Sequence, residues 1–471
     1  MSTVTDPVPP QLTGVRRAAD VLALLGEPPA GSRPSFLIEE AADAATLQAY
    51  YGLRRQAFVD AQGLFTGTDL DDRDEDPRTV VLIGRSHSGE VVGGVRLGPA
   101  TSGPDIGWWQ GGRLVTAGPA AGAGAALVRA ACARAEAAGA LRFDATVQTT
   151  THRFFQRLGW ETVRPVQVAG TPHVLMRWPI GRIQRLTAAT KSELGDLLQG
   201  IGPAGFIGDD GAPVPGSDLI AACDAIVPSL VERDPEWAGW CSVLVNVNDL
   251  AAMGAAPVGL LDSIGARDSS FAARILSGLR QAAHAYGVPV LGGHTQFGVP
   301  ASLSVTALGK AERPVPGGGG KSGDAVRLTA DLGGGWRAGY AGRQWDSTTH
   351  RRSDELQAMV KAVGQAQPAA AKDVSMAGVV GTLGMLAEAS GCAAVLDVAD
   401  IPKPASASMG DWLTCFPGFA MLTAGPQELQ AGPAESRVCG QLTDGQGVSL
   451  RWPDGEITEV IPAGVTGMGA A

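Results

Sequence analysis

Five aspartates stand in apolar or glycine-rich surroundings, where an unpaired carboxylate would be costly. Asp209 and Asp210 lie in IGDDGAPV, and Asp224 ends the apolar run LIAACDAIV. Asp249 lies within VNVNDLAAMGAAP, and Asp373 follows an alanine run in KDVSMAG. A carboxylate in such a setting is normally paired or bound to a metal, and magnesium prefers oxygen ligands. The five together predict a magnesium site, although each alone also fits a helix cap or a turn.

A second chemical feature is the small-residue loop AGPAAGAG at residues 117–124, between a short apolar strand and a helix predicted at 125–138. Unpaired backbone N–H groups at a helix N-terminus attract anions. Gly122 and Gly124 carry no Cβ, so a pyrophosphate can approach the backbone closely. Turns of this composition are also common before helices for purely structural reasons, and the loop alone leaves both interpretations open.

Three other patterns lack residues that their chemistry needs. The segment GGGGKSG has Val315 where a phosphate-binding P-loop has its first glycine. The acidic run at 69–76 has Pro77 and Ile83 where a calcium-binding EF-hand needs glycine and glutamate. We therefore expect a solvated loop that could contribute to a cationic substrate pocket, rather than a calcium site. The six cysteines form no CxxC pair, which favours free thiols over a zinc site.

Composition narrows the class of protein. The 471 residues carry a formal net charge of −10, with 45% hydrophobic and 18% charged residues. No long basic run is present, which argues against a nucleic-acid or anionic-membrane partner. We also find no secretory signal pattern and no apolar stretch of membrane-spanning length. These features predict a soluble, cytoplasmic protein that acts on a small molecule.

The order of predicted elements suggests a multidomain α/β and α+β fold. We expect a flexible tail at 1–34, a first domain at 35–180, a second at 186–312 and a third at 321–460. Predicted helices and strands alternate in all three domains. They comprise helices at 45–58, 125–138, 152–160, 241–253, 270–286, 354–366 and 377–390, and strands at 79–84, 90–97, 113–116, 141–147, 173–178, 219–225, 258–263, 302–308, 325–329, 394–397 and 419–423.

The first domain resembles the GNAT acetyltransferases. The similarity lies in RLVTAGPAAGAGAALVRAACARAEAAGALRFDATVQ and the following FFQRLGWE, with a looser likeness of YYGLRRQAFVDAQG to autoinducer-type acyl synthases. It implies a mixed sheet with helices that binds acetyl-CoA or another acyl-CoA at Val115, Gly122, Gly124 and Ala125. Pro119 replaces the family's first polar loop residue, and Phe155 stands where the family often has a proton-donating tyrosine. His152 is a weaker candidate for that role.

The remainder resembles the superfamily of aminoimidazole ribonucleotide (AIR) synthetase, thiamine-monophosphate kinase, selenophosphate synthetase and the hydrogenase-maturation dehydratase. GDDGAPV, Asp224, VNVNDLAAMGAAP, VLGGHTQFG and KDVSMAG occur in the order seen there. The resemblance implies a half-barrel followed by an α/β sandwich, homodimerisation through this module, and ATP bound with Mg2+.

That resemblance also assigns roles to individual residues. It implies that magnesium is bound by Asp209, Asp210, Asp224, Asp249 and Asp373. It places the ATP phosphates against Asn246, Gly292, Gly293 and Thr295, with Asn246 and Asn248 ordering a helix start. His294 and Met376 occupy positions that are aspartates in thiamine-monophosphate kinase, which makes His294 a candidate catalytic residue and leaves the acceptor open.

Together these features predict a bifunctional enzyme that joins acyl-CoA-dependent acyl transfer to ATP- and magnesium-dependent phosphoryl transfer or ligation. The alternatives are a non-catalytic regulatory protein that binds ATP and CoA, and a scaffold whose aspartates are structural.

Overall fold

The computed structural model describes residues 36–117 and 121–470. The predicted tail at 1–34 and the substitution at Pro119 lie outside these ranges. Contacts within the chain divide it into two compact units. The front unit comprises residues up to 102, 108–138 and 142–179, and the back unit comprises 103–107, 139–141 and 180 onward.

The front unit is built on a seven-stranded sheet in the order β1-β2-β3-β4-β5-β7-β6. Its strands are β1 Phe36–Glu40, β2 Val80–Ser86, β3 Val91–Pro99, β4 Trp108–Thr116, β5 Arg142–Gln148, β6 Glu161–Val168 and β7 Thr171–Trp178. Only β4 and β5 are parallel neighbours, and they pair from Trp108 to Gly111 on β4. Since β4 continues to Thr116 and β5 to Gln148, the two strands separate beyond that point and leave a gap in the sheet.

Four helices accompany this sheet. They are α1 Ala44–Arg54, α2 Asp72–Glu75, α3 Ala123–Ala137 and α4 His152–Arg157. A π-helical segment, Arg55–Ala61, continues directly from α1. Asp43 caps α1 by accepting the backbone N–H of Thr46 at 2.8 Å. Before α3, Gly122 adopts φ +86°, which a residue with a Cβ rarely takes.

The back unit begins with a five-stranded sheet in the order β11-β10-β12-β9-β8. The strands are β8 Ala212–Pro213, β9 Leu219–Ala225, β10 Ala256–Ala266, β11 Val290–Phe297 and β12 Ser302–Lys310, and the helices are α5 Arg182–Lys191, α6 Leu194–Leu197, α7 Pro228–Arg233, α8 Pro235–Ala252 and α9 Ser269–Tyr286. One face of the sheet packs against α8 and α9 around Leu260, Ile264 and Val305. The other face leaves Leu261 41% exposed, and every residue of β11 is exposed.

A seven-stranded sheet follows in the order β16-β18-β13-β19-β17-β20-β21, beside a two-stranded sheet of β14 and β15. These strands are β13 Ala325–Ala330, β14 Gly335–Trp336, β15 Trp345–Asp346, β16 Ala370–Asp373, β17 Ala393–Asp397, β18 Ala420–Ala424, β19 Glu435–Thr443, β20 Val448–Arg451 and β21 Ile457–Ile461. The accompanying helices are α10 Ser353–Ala366, α11 Gly378–Ala389 and α12 Met409–Thr414. Within the described ranges, no helix is both long and apolar enough to cross a bilayer.

The mixed α/β architecture agrees with the prediction, and β9 has the predicted bounds. Helix α8 begins at Pro235, earlier than predicted, because Pro235 occupies the first helical turn after the cap Asp234. Asn246 and Asn248 therefore lie in the second half of α8, and the expectation that they order its start is wrong.

Candidate functional site

Asp210 and Lys372 form the centre of an acidic cluster in the back unit. Lys372, on β16, is buried, and its Nζ donates to Asp210 Oδ1 at 2.9 Å and to the Gly208 carbonyl at 2.8 Å. The backbone N–H of Asp373 donates to the second oxygen of Asp210 at 3.0 Å. These bonds join the GDDG segment to β16, so residues far apart in sequence meet.

Asp249, Asp373 and Asp224 lie around this pair. Burial raises the pKa of Asp249 well above its usual value, and the carboxylates of Asp373, Asp224 and Asp210 raise it further. The pKa of Asp373 is raised in the same direction by burial and then by Asp210 and Asp224. Asp224 is accessible at the end of β9, yet the surrounding protein still raises its pKa. The structure thus brings four of the five predicted aspartates into one electrostatic group.

Asp209 adjoins the cluster. Both of its carboxylate oxygens are buried without a hydrogen-bond partner, and burial raises its pKa to about 6. The backbone of Gly317 passes so close that a side-chain carbon there would lie 2.5 Å from Asp209 Oδ1. The nearby Lys372 ammonium and the backbone N–H of Gly317 lower this pKa again, so the chain stabilises an ionised Asp209 in part, and a bound cation would stabilise it further.

The cluster fits a divalent cation only in combination with other ligands. Among the described residues, no three acidic, histidine or cysteine side chains form a group that holds a metal by itself. The five carboxylates face the cations Lys372 and Lys191, which leaves an excess of negative charge. Magnesium keeps several waters and binds one or two carboxylates together with substrate phosphates, and Asp209, with its two unpartnered oxygens, suits that role.

The predicted phosphate-binding residues occupy two other places. Asn246 is buried on α8, one turn before Asp249, with its Oδ1 unpartnered while its Nδ2 donates to the Ser242 carbonyl at 2.9 Å. The remaining residues, Gly292, Gly293, His294 and Thr295, lie on the exposed edge strand β11. Strands β10 and β12 lie between β11 and β9. These four residues of β11 are therefore three strand spacings, or about 14 Å, from Asp224 on β9. Within one chain they do not join the aspartates.

Sequence reasoning passed over Lys372, although a signal was present. A lysine inside the apolar strand AAKD is buried only if it has an anionic partner, and the neighbouring Asp373 already marked this segment. Gly317 was likewise set aside with the rejected P-loop pattern, yet its lack of a Cβ makes room for Asp209 and Lys372.

The front unit contains a cavity of about 490 Å3 in the gap between β4 and β5. Gly122, Gly124 and Ala125 line it at the start of α3, and anion binding there stays a prediction. Val115 does not: its side chain is buried in a core cluster with Tyr50 and Phe58, while its neighbours on β4 line the cavity.

Two residues of the cavity wall bear on its chemistry. Phe155 lines the wall, edge-to-face with Trp160, and has no ionisable group. His173 also lines it, and its Nδ1 donates to the Thr171 carbonyl at 2.9 Å, which leaves Nε2 as the acceptor nitrogen. His152, the candidate from sequence, hydrogen-bonds the Thr162 hydroxyl and is not part of this wall. His173 lies in an ordinary strand pattern that gave no signal.

The acidic run at 69–76 is only partly a solvated loop, because Leu70, Asp71, Asp72 and Glu75 are exposed while Asp69 is buried and 72–75 form the helix α2. Asp69 and Asp74 both pair with Arg54, whose side chain is fully buried, at 2.7 and 2.6 Å. Asp71 pairs with Arg96 and with Arg113. Because arginines satisfy these three carboxylates, they do not form a pocket for a cationic substrate.

Comparison with known proteins bears on the back unit. Family models for the AIR synthase related protein match as an N-terminal domain at residues 208–311 and a C-terminal domain at 321–453. An uncharacterized protein of Synechocystis sp. is 37% identical over 235 residues, which cover 48% of this chain and 72% of that protein. The chain belongs to the AIR synthase-related proteins. The matched models together span GDDG, α8 and β16.

Further AIR synthase-related proteins show more limited similarity. The thiamine-monophosphate kinase of Synechococcus elongatus is 35% identical over 133 residues, covering 25% of this chain and 41% of that enzyme. The solved thiamine-monophosphate kinase of Aquifex aeolicus is 21% identical, covers 53% of this chain and 92% of that chain, and has a TM-score of 0.41.

Proposed function

We propose that the back unit transfers the γ-phosphoryl group of ATP, with magnesium, to a small-molecule acceptor. The observation that carries this proposal is the convergence of Asp209, Asp210, Asp224, Asp249 and Asp373 around Lys372. An excess of carboxylates around one lysine is an arrangement that a magnesium–triphosphate complex would neutralise. The name of the kinases to which the chain is similar supports the same reaction class.

In this proposal the aspartates hold magnesium against the phosphates of ATP. Bound magnesium would neutralise the phosphate oxygens and act as a Lewis acid. Asp209, Asp224 and Asp249 would hold it, while Lys372 keeps the GDDG segment in place through one hydrogen bond to Asp210 and one to the Gly208 carbonyl. The acceptor oxygen bonds to the γ-phosphorus, the bond to the bridging oxygen breaks, ADP leaves, and the acceptor's proton passes to water. Ligation proceeds from the same phosphorylated acceptor.

The test measures ADP release with magnesium-ATP across small carboxylates, amines and nucleotides. Acceptor-stimulated ADP release that needs magnesium supports an enzyme. ATP binding with no stimulated release by any acceptor favours the regulatory alternative. A failure to bind magnesium-ATP at all contradicts the proposal.

A second function is proposed for the front unit, namely acyl transfer from an acyl-CoA. It is favoured by the cavity between the separated strands β4 and β5, which opens at the N-terminus of α3. Backbone N–H groups of Gly124 and Ala125 would bind the CoA pyrophosphate, and the apolar wall would enclose the acyl group.

The residues present allow a balanced reaction. The acceptor nitrogen bonds to the thioester carbonyl carbon as the carbon–sulfur bond breaks. His173 Nε2 would accept the proton that the nitrogen loses and return it to the departing sulfur, which takes the role that Phe155 cannot fill. Free-thiol release from acetyl-CoA on addition of amines tests this function. A chain that binds no acyl-CoA contradicts it.

We also propose that two copies associate through the uncovered face of the first back-unit sheet. That face exposes Leu261, and the adjoining edge strand exposes Leu291 and Phe297 by 57% and 56%, a pattern typical of an interaction surface. A second copy would cover this surface and would bring its own Gly292–Thr295 segment toward the aspartates, where His294 could act on the acceptor. Sedimentation analysis of the full chain measures its oligomeric state, and a monomer at micromolar concentration contradicts the proposal.

A further inference from the structure

A smaller cavity of about 130 Å3 adjoins the large one in the front unit. Gly111, Gly112, Arg113 and Thr146 line both and form the wall between them. The other lining residues are Asp71, Arg73, Arg96 and Gln110. The volume is roughly that of four water molecules, so an occupant has only a few non-hydrogen atoms.

The cavity lining carries more positive than negative charge. Three arginines face one aspartate, Asp71. Asp71 is already engaged by Arg96 through both oxygens and by Arg113 at 3.0 Å. Within the described ranges Arg73 makes no ion pair, and its guanidinium donates to the Ala100 carbonyl at 3.4 Å, a long hydrogen bond.

The surroundings of Arg73 and Arg113 oppose their charge. Burial and the neighbouring Arg96 lower the pKa of both guanidiniums. Guanidiniums crowded together in a recess cost free energy that a bound anion recovers. Arg96 pairs with Asp71 and Asp74, and Arg113 pairs with Asp69 and Asp71. An anion in this cavity would therefore supply a partner chiefly to Arg73.

Arg113 is held in an unusual conformation that points to function. Its φ is +56°, a region that residues with side chains rarely adopt. The buried Tyr50 hydroxyl donates to its carbonyl at 2.8 Å, and Phe65 lies 4.6 Å beneath its guanidinium. This strain persists because the surrounding contacts fix it, and it places Arg113 at the wall between the cavities.

We propose that the smaller cavity binds a small amino acid through its carboxylate, with Arg73 and the Nη1 group of Arg113 as donors, and that this amino acid is the acyl acceptor of the front unit. The identity of the acceptor rests on the proposed acyl transfer, but binding in the cavity does not. Arginine forms two parallel hydrogen bonds to a carboxylate. Both oxygens of Asp71 already accept hydrogen bonds from Arg96, Arg113 and the Arg73 backbone, and this carboxylate repels a phosphate dianion more than a singly charged carboxylate. Gly111 and Gly112 line both cavities, and the proposal requires the amine to reach the thioester past them.

The test is equilibrium binding of each of the twenty amino acids to the full chain, without acyl-CoA and in low-chloride buffer. We expect at least one to bind, its carboxamide to bind at least about tenfold more weakly, and inorganic phosphate not to displace it. Binding of phosphate in preference to every amino acid, or equal binding of acid and carboxamide, overturns the proposal.

Variants test whether the amino acid binds in this cavity or elsewhere on the chain. Arg73→Gln should weaken the amino acid at least about tenfold, Arg73→Lys should restore part of the affinity, and Arg129→Gln, at an exposed position on α3, should have no effect. Arg73 makes few contacts, so Arg73→Gln should fold, and unchanged affinity in that variant refutes the assignment. If the chain binds an amino acid but no acyl-CoA, the proposed acyl transfer is refuted and the amino-acid site is not. If it binds acyl-CoA but no amino acid, the amino-acid site is refuted and the proposed acyl transfer is not.

Discussion

Replacing Asp249 by asparagine should stabilise the ligand-free protein and abolish its response to magnesium-ATP. Asp249 is 7% exposed, and burial and three neighbouring carboxylates raise its pKa. The folded state holds the proton of Asp249 more tightly than the unfolded state does. The free energy of unfolding therefore falls as the pH rises above the pKa that this carboxyl group has in the unfolded chain. At neutral pH, removing this charge should gain on the order of 2 kcal/mol, or roughly 3 °C in Tm for a unit of this size.

The same substitution removes a proposed magnesium ligand. At a concentration of about 100 times its Kd, a bound ligand raises the free energy of unfolding of the wild-type chain by about 2.7 kcal/mol. The Asp249→Asn variant should not show this increase with magnesium-ATP. Thermal denaturation at several pH values, with and without magnesium-ATP, measures both effects, and the gain should shrink toward pH 4 as the wild-type carboxylates protonate. Asp444→Asn, at an exposed position, is the matched control. A variant that is less stable at neutral pH, or that keeps the magnesium-ATP shift, refutes the reasoning.

Four further outcomes are expected. Lys372→Met should cost about 3–5 kcal/mol of unfolding free energy by leaving Asp210 unpaired, and urea denaturation that shows no loss contradicts this. Below pH 6, magnesium affinity should fall as Asp209 protonates, and a flat calorimetric profile from pH 5 to 8 argues against its role. Gly122→Val should reduce acetyl-CoA affinity at least about tenfold, whereas Gly89→Val, in a turn with similar φ, should not; equal affinities count against the anion site. Leu261→Asp should yield monomers in sedimentation, while Val438→Asp, at a similarly exposed position, should not; a Leu261→Asp dimer contradicts the proposed face.

Much of the fold was predictable because its helices and central strands have strong periodicity. Helix α9 was predicted to within a residue, since its apolar side recurs at helical spacing up to the terminating Gly287. Strand β11 was missed because VLGGHTQF contains two glycines and lies at an edge, with neither alternation nor a buried run. Strand β6 was missed because Pro165 interrupts it and its residues are mostly exposed.

The acidic cluster was predictable as a set of residue types but not as a geometry. The pattern of carboxylates among apolar residues predicted a magnesium site. In the structure Asp210, Asp224, Asp249 and Asp373 do lie together. The arginine network of the front unit gave none, because its partners are separated by up to 44 residues. A charge-rich run looks solvated in sequence even when tertiary contacts bury it.

The exposed strand β11 also has a consequence for handling the protein. As an edge strand it presents unpaired backbone N–H and C=O groups, and it carries no charged side chain to discourage another strand. Adjacent glycines at 292 and 293 specify register weakly, so Leu291 and Phe297 must determine which pairing forms. If the proposed association of two copies is prevented, by dilution or by slow assembly, the chain should therefore form mispaired aggregates through this strand before it unfolds elsewhere.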